Sequence, residues 1–120
     1  MIKGLRVSSI WSEDLNKLLP FYRDTLGLPV GMETPGYVML GDPNGVTVAL
    51  GTHSELKGKA KEPPRHMVGF ECDDIHADCE RLKATGVEFV EDLNQQPFGW
   101  IATFKDPEGN YIQLLQPSDG

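Results

Sequence analysis

The sequence is short of cysteine, of positive charge and of long apolar runs, and each shortage removes a class of function. Cys72 and Cys79 are its two cysteines. Seven residues apart, at an expected strand end and on an expected helix, they fit reduced packing positions better than a disulfide. Lys and Arg total 11 against 18 Asp and Glu, a formal net charge of -7. Such a surface repels the phosphate backbone that clustered cations hold, so no nucleic-acid partner is expected. No stretch approaches the ~20 apolar residues that a membrane-spanning helix requires. Met1-Ile2-Lys3-Gly4-Leu5 also lacks the charged-then-apolar order of a targeting segment. A cytoplasmic protein with no membrane partner is the expectation. A phosphate-cradling glycine loop is missing, as is a Ser or Cys nucleophile with a recognisable base motif.

What the chain does contain is a repetition. Asp42-Pro43-Asn44-Gly45 followed by Val46-Thr47-Val48-Ala49-Leu50 returns as Asp106-Pro107-Glu108-Gly109 followed by Asn110-Tyr111-Ile112-Gln113-Leu114. An acidic helix start at Asp14-Leu15 recurs at Asp74-Ile75, and a helix-ending Gly27 recurs at Gly86. Two copies of one supersecondary unit are implied, and a duplicated half tends to build a site between the halves from equivalent positions. The 120 residues make one domain of two modules, about 1–52 and 66–120, joined by a linker of about 53–65. Lys57, Lys59, Lys61 and Arg65 give that Gly- and Pro-containing linker a basic, solubilising character.

Periodicity sets the elements. Leu5 to Ile10 is a strand, and Ser12 with Glu13 and Asp14 supplies the cap and early negative charge of a helix carrying Leu15, Leu18, Leu19, Tyr22 and Leu26 on one face. Pro20 lacks a backbone donor and predicts a kink or restart near Leu18 to Pro20. Strands follow near Pro29–Glu33, Tyr37–Gly41 and Val46–Gly51. The second half repeats the order: a strand over Met67–Cys72, a helix over Asp74–Thr85 with Ile75, Cys79 and Leu82 inward, then strands near Glu88–Glu91, Trp100–Phe104 and Tyr111–Gln116. Each unit reads βαβββ.

Side chains two apart share a sheet face. Val68, Phe70, Cys72, Ile112 and Leu114 therefore fit beneath the second helix, which leaves Met67, Gly69, Glu71, Tyr111, Gln113 and Leu115 in a concavity. In the first unit Ser8 and Ile10 face the helix, while Val7, Ser9 and Trp11 line the cavity with Thr47, Ala49 and Gly51. Phe98 and Trp100 beside Gly99 fit a loop acting as a lid.

Ser12-Glu13-Asp14-Leu15, Phe21-Tyr22-Arg23-Asp24-Thr25-Leu26-Gly27-Leu28 and Asp106-Pro107-Glu108-Gly109-Asn110 resemble the vicinal oxygen chelate superfamily, which holds glyoxalase I, extradiol dioxygenases, and fosfomycin- and bleomycin-resistance proteins. The resemblance covers essentially the whole chain. It implies an α+β fold of two tandem βαβββ modules forming a glyoxalase/bleomycin-resistance/dioxygenase-type structure with a concave sheet cavity. A shared scaffold does not fix the reaction.

In metal-using members the resemblance implies a divalent ion held by His or Glu on the first and last strands of each unit. The corresponding slots here are Val7, Ala49, Met67 and Gln113. Val and Ala have no donor, and Met and Gln are poor ligands for a hard ion, so no metal is expected in the usual position. A strand slip would bring His66 into the cavity, and a displaced divalent metal near His66, with His53 and Glu71, is the one metal alternative.

Metal-free relatives of the bleomycin-resistance type imply a homodimer that sequesters a cationic, aromatic drug. Val7, Ser9, Trp11, Ala49, Met67, Glu71, Phe98, Trp100, Tyr111 and Gln113 are the candidate ligand-binding residues, with Trp11, Phe98, Trp100 and Tyr111 stacking on the ligand and Glu71 favouring its charge. The alternative is an enzyme of lyase, isomerase, epimerase or dioxygenase type, metal-free with Glu71 as a desolvated general base or carrying the displaced metal. Glu71 paired with Arg6 or Arg81 would have a structural role instead.

Overall fold

A computed structural model describes residues 1–118. It contains two compact units, Met1–Gly58 and Lys59–Gly120. The first comprises β1 (Val7–Ser12), α1 (Leu15–Pro20), a π-helical turn (Phe21–Thr25), β2 (Val30–Thr34), β3 (Tyr37–Leu40) and β4 (Thr47–Thr52). The second comprises a 3-10 turn (Pro63–Arg65), β5 (Val68–Glu71), α2 (Ile75–Ala84), β6 (Phe89–Gln96), β7 (Gly99–Lys105) and β8 (Tyr111–Pro117). Each unit holds one four-stranded sheet, ordered β1-β4-β3-β2 and β5-β8-β7-β6. In both, the first strand lies parallel to the last and the other pairs are antiparallel.

In the first unit β1 starts two residues later than the apolar pattern predicts. Its register with β4 runs from Val7 opposite Thr47 to Ser12 opposite Thr52, so Ser12 ends a strand and does not cap the helix. The cap is Asp14, whose carboxylate accepts the Asn16 N–H at 2.9 Å. Ser12 Oγ accepts the Asp14 N–H at 3.0 Å and so holds the strand-to-helix corner. The expected disruption at Pro20 is present: without an N–H there, the α-helical ladder stops and the chain widens into a π-turn, closed by the Leu26 N–H donating to the Phe21 carbonyl at 2.9 Å. Phe21 and Tyr22 turn inward, and Leu18 and Tyr22 are fully buried. Gly27, at φ +80°, ends the helix in the left-handed region.

In the second unit Asp74 caps α2 by accepting the Ala77 N–H at 3.2 Å. The Ile75 N–H is satisfied from β8 by Gln116 Oε1 at 2.7 Å, which ties the helix start to the sheet. Ile75, Cys79 and Leu82 are buried, as their spacing predicts. β6 is longer than expected because Asp92 to Gln96, polar enough to read as a loop, continue the strand through two register shifts. Bulges let a polar edge strand stay paired while its alternation is broken. The strand ends in a tight Pro97-Phe98 connection to β7.

The core of each unit lies between helix and sheet. Ile10, Val38, Leu40, Val48 and Leu50 are buried on the α1 side of the first sheet, and Ala102, Phe104, Ile112 and Leu114 on the α2 side of the second. Each such large side chain contributes roughly 1.5 to 3 kcal/mol on burial. The repeated Asp-Pro-x-Gly strings are turns whose carboxylates bind backbone. Asp42 accepts the Asn44 N–H, and the buried Asp106 accepts the Glu108 and Asn110 N–H groups and the Asn110 side-chain amide.

Candidate functional site

The sheet faces turned away from the helices carry most of the candidate residues. On the first sheet Val7, Ser9 and Trp11 stand opposite Thr47, Ala49 and Gly51 in register, and β3 adds Tyr37 opposite Gly51 and Met39 opposite Ala49. Ala49 is fully buried, and Val7 and Ser9 are half-buried. Thr47 is also buried, and its hydroxyl oxygen has no hydrogen-bond partner. A buried hydroxyl without a partner has lost its hydration, which costs stability. The Trp11 ring lies over Gly51, close enough that a Cβ there would strike it.

On the second sheet Gly69 stands opposite Gln113 and Glu71 opposite Leu115. β7 contributes Ile101 and Thr103, with Thr103 opposite Gln113. Gln113 Nε2 donates to Thr103 Oγ1 at 3.5 Å. Thr103 is buried and was missed by sequence reasoning, although its alternation with the core residues Ala102 and Phe104 carried the signal. Tyr111 and Gln113 are half-buried on this face.

Several candidates sit elsewhere than expected. Trp100 is in β7, with the parity of Ala102 and Phe104, and its ring meets that of His76 on α2 at 4.7 Å. It therefore packs on the helix side and is neither a loop residue nor on the face turned away from α2. Phe98 is at the β6–β7 tip and 51% exposed. Met67 precedes β5, which begins at Val68, and is exposed. His66 is exposed in an extended stretch after the 3-10 turn. The β5–β8 register is regular from Val68 to Glu71, so no slip or bulge turns His66 onto the face. Glu71 is exposed at the end of β5 and lacks the burial that the general-base reading requires.

Other groups are accounted for locally. Arg81 lies 3.7 Å from Asp78, and Arg6 donates to the Pro43 carbonyl at 3.5 Å. Cys72 and Cys79 are free thiols. Burial first, then the neighbouring Asp78 and Cys79, push the Cys72 thiol up to about 11; burial also raises Cys79. On the helix side of the first sheet, α1 and the β2–β3 hairpin enclose a shallow cleft of about 250 Å³ lined by Leu15, Leu19, Pro20, Arg23, Glu33 and Val38 among others. Among the described residues no helix is long and apolar enough to cross a membrane.

With this geometry in place the chain can be set beside known proteins. Residues 5–114 match the Glyoxalase/Bleomycin resistance protein/Dioxygenase superfamily, and the protein belongs to that family. The crystal structure of TnmS3, an antibiotic binding protein from Streptomyces sp. CB03234, is similar with a TM-score of 0.76 and 30% identity, covering 98% of each chain. A lactoylglutathione lyase of Neisseria meningitidis is 30% identical over 89% of this chain and 86% of its own. A protein of Bacillus subtilis (strain 168) called Uncharacterized protein YetH is 29% identical over 97% of this chain and all of its own length.

The metal that metal-using members of this family hold does not fit the residues present. Of the four slots, Val7 and Ala49 offer no donor atom, Met67 offers a soft thioether, and Gln113 offers an amide already turned to Thr103. Among the described residues no group of three His, Cys, Asp or Glu side chains gathers to hold an ion.

Proposed function

We propose that this protein binds a small organic molecule, cationic and aromatic in a drug-like way, on the sheet faces turned away from its helices and without a metal ion. The observation that carries the reading is the chemistry of those faces. The four slots lack a donor set for a hard cation, while the same faces hold the Thr103–Gln113 pair and a 42% exposed Trp11. The net charge of -7 favours a cationic guest by long-range attraction. The likeness to an antibiotic binding protein supports sequestration as the use of such a site. A cytoplasmic homodimer is part of the reading, and light scattering tests the subunit number.

The test is a titration with a panel of cationic aromatic compounds, with and without EDTA, read by calorimetry and by tryptophan fluorescence. Saturable binding that the chelator leaves unchanged is expected. No binding across the panel, or binding that appears only with an added divalent ion, overturns the reading. A second reading, a lyase or isomerase in which Glu71 acts as an exposed carboxylate and not as a desolvated base, draws support from the 30% identity to a lactoylglutathione lyase. It predicts that Glu71→Gln abolishes turnover of a substrate while leaving its binding intact.

A further inference from the structure

Three rings meet at one end of the first sheet, on the face away from α1. Trp11 in β1 stands opposite Gly51, and Gly51 stands opposite Tyr37 in β3. The position between two aromatic residues thus has no side chain, and the indole lies across it. The Tyr37 ring centroid is 6.2 Å from that of Trp11 with the planes inclined at 45°. His53, two residues beyond Gly51, brings its ring to 5.9 Å at 83°. A tryptophan serving only as core would be covered, yet Trp11 stays 42% exposed and the His53 side chain 43% exposed.

The inclination decides what such a cluster suits. A flat guest can stack on one of these planes alone, whereas a compact, rounded group meets more than one. The indole and phenol faces carry negative quadrupole potential, so the rounded group they favour is a cation. Charge nearby agrees: the Glu55 carboxylate is 4.0 Å from His53 Nε2, and the Glu55 N–H donating to His53 Nδ1 at 3.2 Å fixes the ring's orientation.

We propose that Trp11, Tyr37 and His53, with Gly51 as the floor beneath the indole, form a recognition site for an N-alkylated ammonium group carried by the ligand. The inference rests on the reading that this sheet face takes a small organic molecule, and it narrows that reading to one chemical group and one place.

The probe is choline, set against its uncharged isostere 3,3-dimethylbutan-1-ol, each titrated into the full chain. Binding is read from the ligand methyl resonances and the tryptophan indole N–H signals by NMR. Choline should bind about 5- to 30-fold more tightly than the isostere, with its N-methyl resonance moved upfield by the ring faces. Trp11→Leu should weaken choline by about tenfold or more. Where that variant fails to fold, Tyr37→Leu and His53→Leu, each checked by circular dichroism, should each weaken it. Equal binding of choline and the isostere, no choline binding, or choline binding indifferent to these substitutions overturns the site. If larger cationic drugs bind while Trp11→Leu changes neither them nor choline, this site falls and the general reading stands. If choline binds as stated and no larger compound does, the site stands and the drug-binding reading falls.

Discussion

Replacing Asp106 by alanine should be among the most damaging single changes outside the apolar core, and its repeat partner Asp42 should be nearly neutral. Asp106 is 4% exposed. Its Oδ1 accepts the Glu108 N–H at 2.8 Å and the Asn110 N–H at 2.9 Å, and its Oδ2 accepts Asn110 Nδ2 at 2.8 Å. A hydrogen bond to a charged group contributes roughly 1.5 to 3 kcal/mol, and a buried donor left unpaired costs roughly 1 to 3 kcal/mol. The three bonds share one turn and do not add fully, because part of the freed backbone reaches water. About 3 kcal/mol is the expected cost of Asp106→Ala, equivalent to a fall in Tm of about 10 °C for a domain of this size. Asp42 is exposed and holds a single side-chain bond, to the Asn44 N–H at 2.9 Å, so Asp42→Ala should cost about 1 kcal/mol or less. Urea unfolding of the two variants, compared at equal m-values, measures the difference. If the two cost the same within about 0.5 kcal/mol, burial and bond count do not govern these turns and the reasoning fails.

Three further expectations follow from local geometry. Gly99 sits at φ +143°, and a Cβ there would press on the Pro117 Cα at 2.8 Å and the Ser118 nitrogen at 2.7 Å, backbone atoms that cannot swing aside. Gly99→Ala should therefore cost about 3 kcal/mol in urea unfolding, whereas Gly27→Ala, strained but with open space at its Cβ, should cost about 1 kcal/mol; equal costs would refute the clash. With its thiol pushed up to about 11, Cys72 should react with a disulfide reagent at pH 8 about a hundredfold more slowly than free cysteine, and a fast labelling phase in the folded protein would contradict this. Lys83 Nζ at 2.6 Å, then the Leu93 N–H, hold the exposed Asp92 carboxyl below its ordinary value of 3.8. A depressed carboxyl stabilises the fold above that ordinary value and ceases to do so as the pH falls through the lower folded one. Lys83→Met should thus flatten the acid limb of a stability curve, and an unchanged limb would remove this pair from the account.

Where sequence and structure agree, a single local rule was sufficient. Gly27 and Gly86 end their helices because only glycine enters the left-handed region cheaply, and Ile75, Cys79 and Leu82 follow helical spacing into the core. Pro20 announced the break in the first helix, though not that a π-turn would absorb it. The misplacements arise where pairing overrides local pattern. β1 shifts to Val7–Ser12 because β4 sets its register, and β6 runs to Gln96 through bulges that a polar sequence hides. Trp100 was assigned to a lid from its glycine neighbour, but strand parity sends it to His76 on the helix side. Tyr37 was not among the residues that periodicity selected, because its closeness to Trp11 comes from two strand pairings through Gly51, which periodicity along one strand does not reveal. The resemblance to the superfamily implied where the usual metal slots fall, and the side chains at those positions were legible at once.

The central claim is that the faces carrying Val7, Ala49 and Gln113, with Met67 beside them, work without a metal ion. Elemental analysis of protein purified without a His-tag, before and after dialysis against Ni, Mn, Zn and Fe, tests it most directly. The account predicts less than ~0.1 metal per chain throughout, since no group of three His, Cys, Asp or Glu gathers among the described residues. Retention of about one ion per chain would contradict it and would move the search for chemistry to the surroundings of His66.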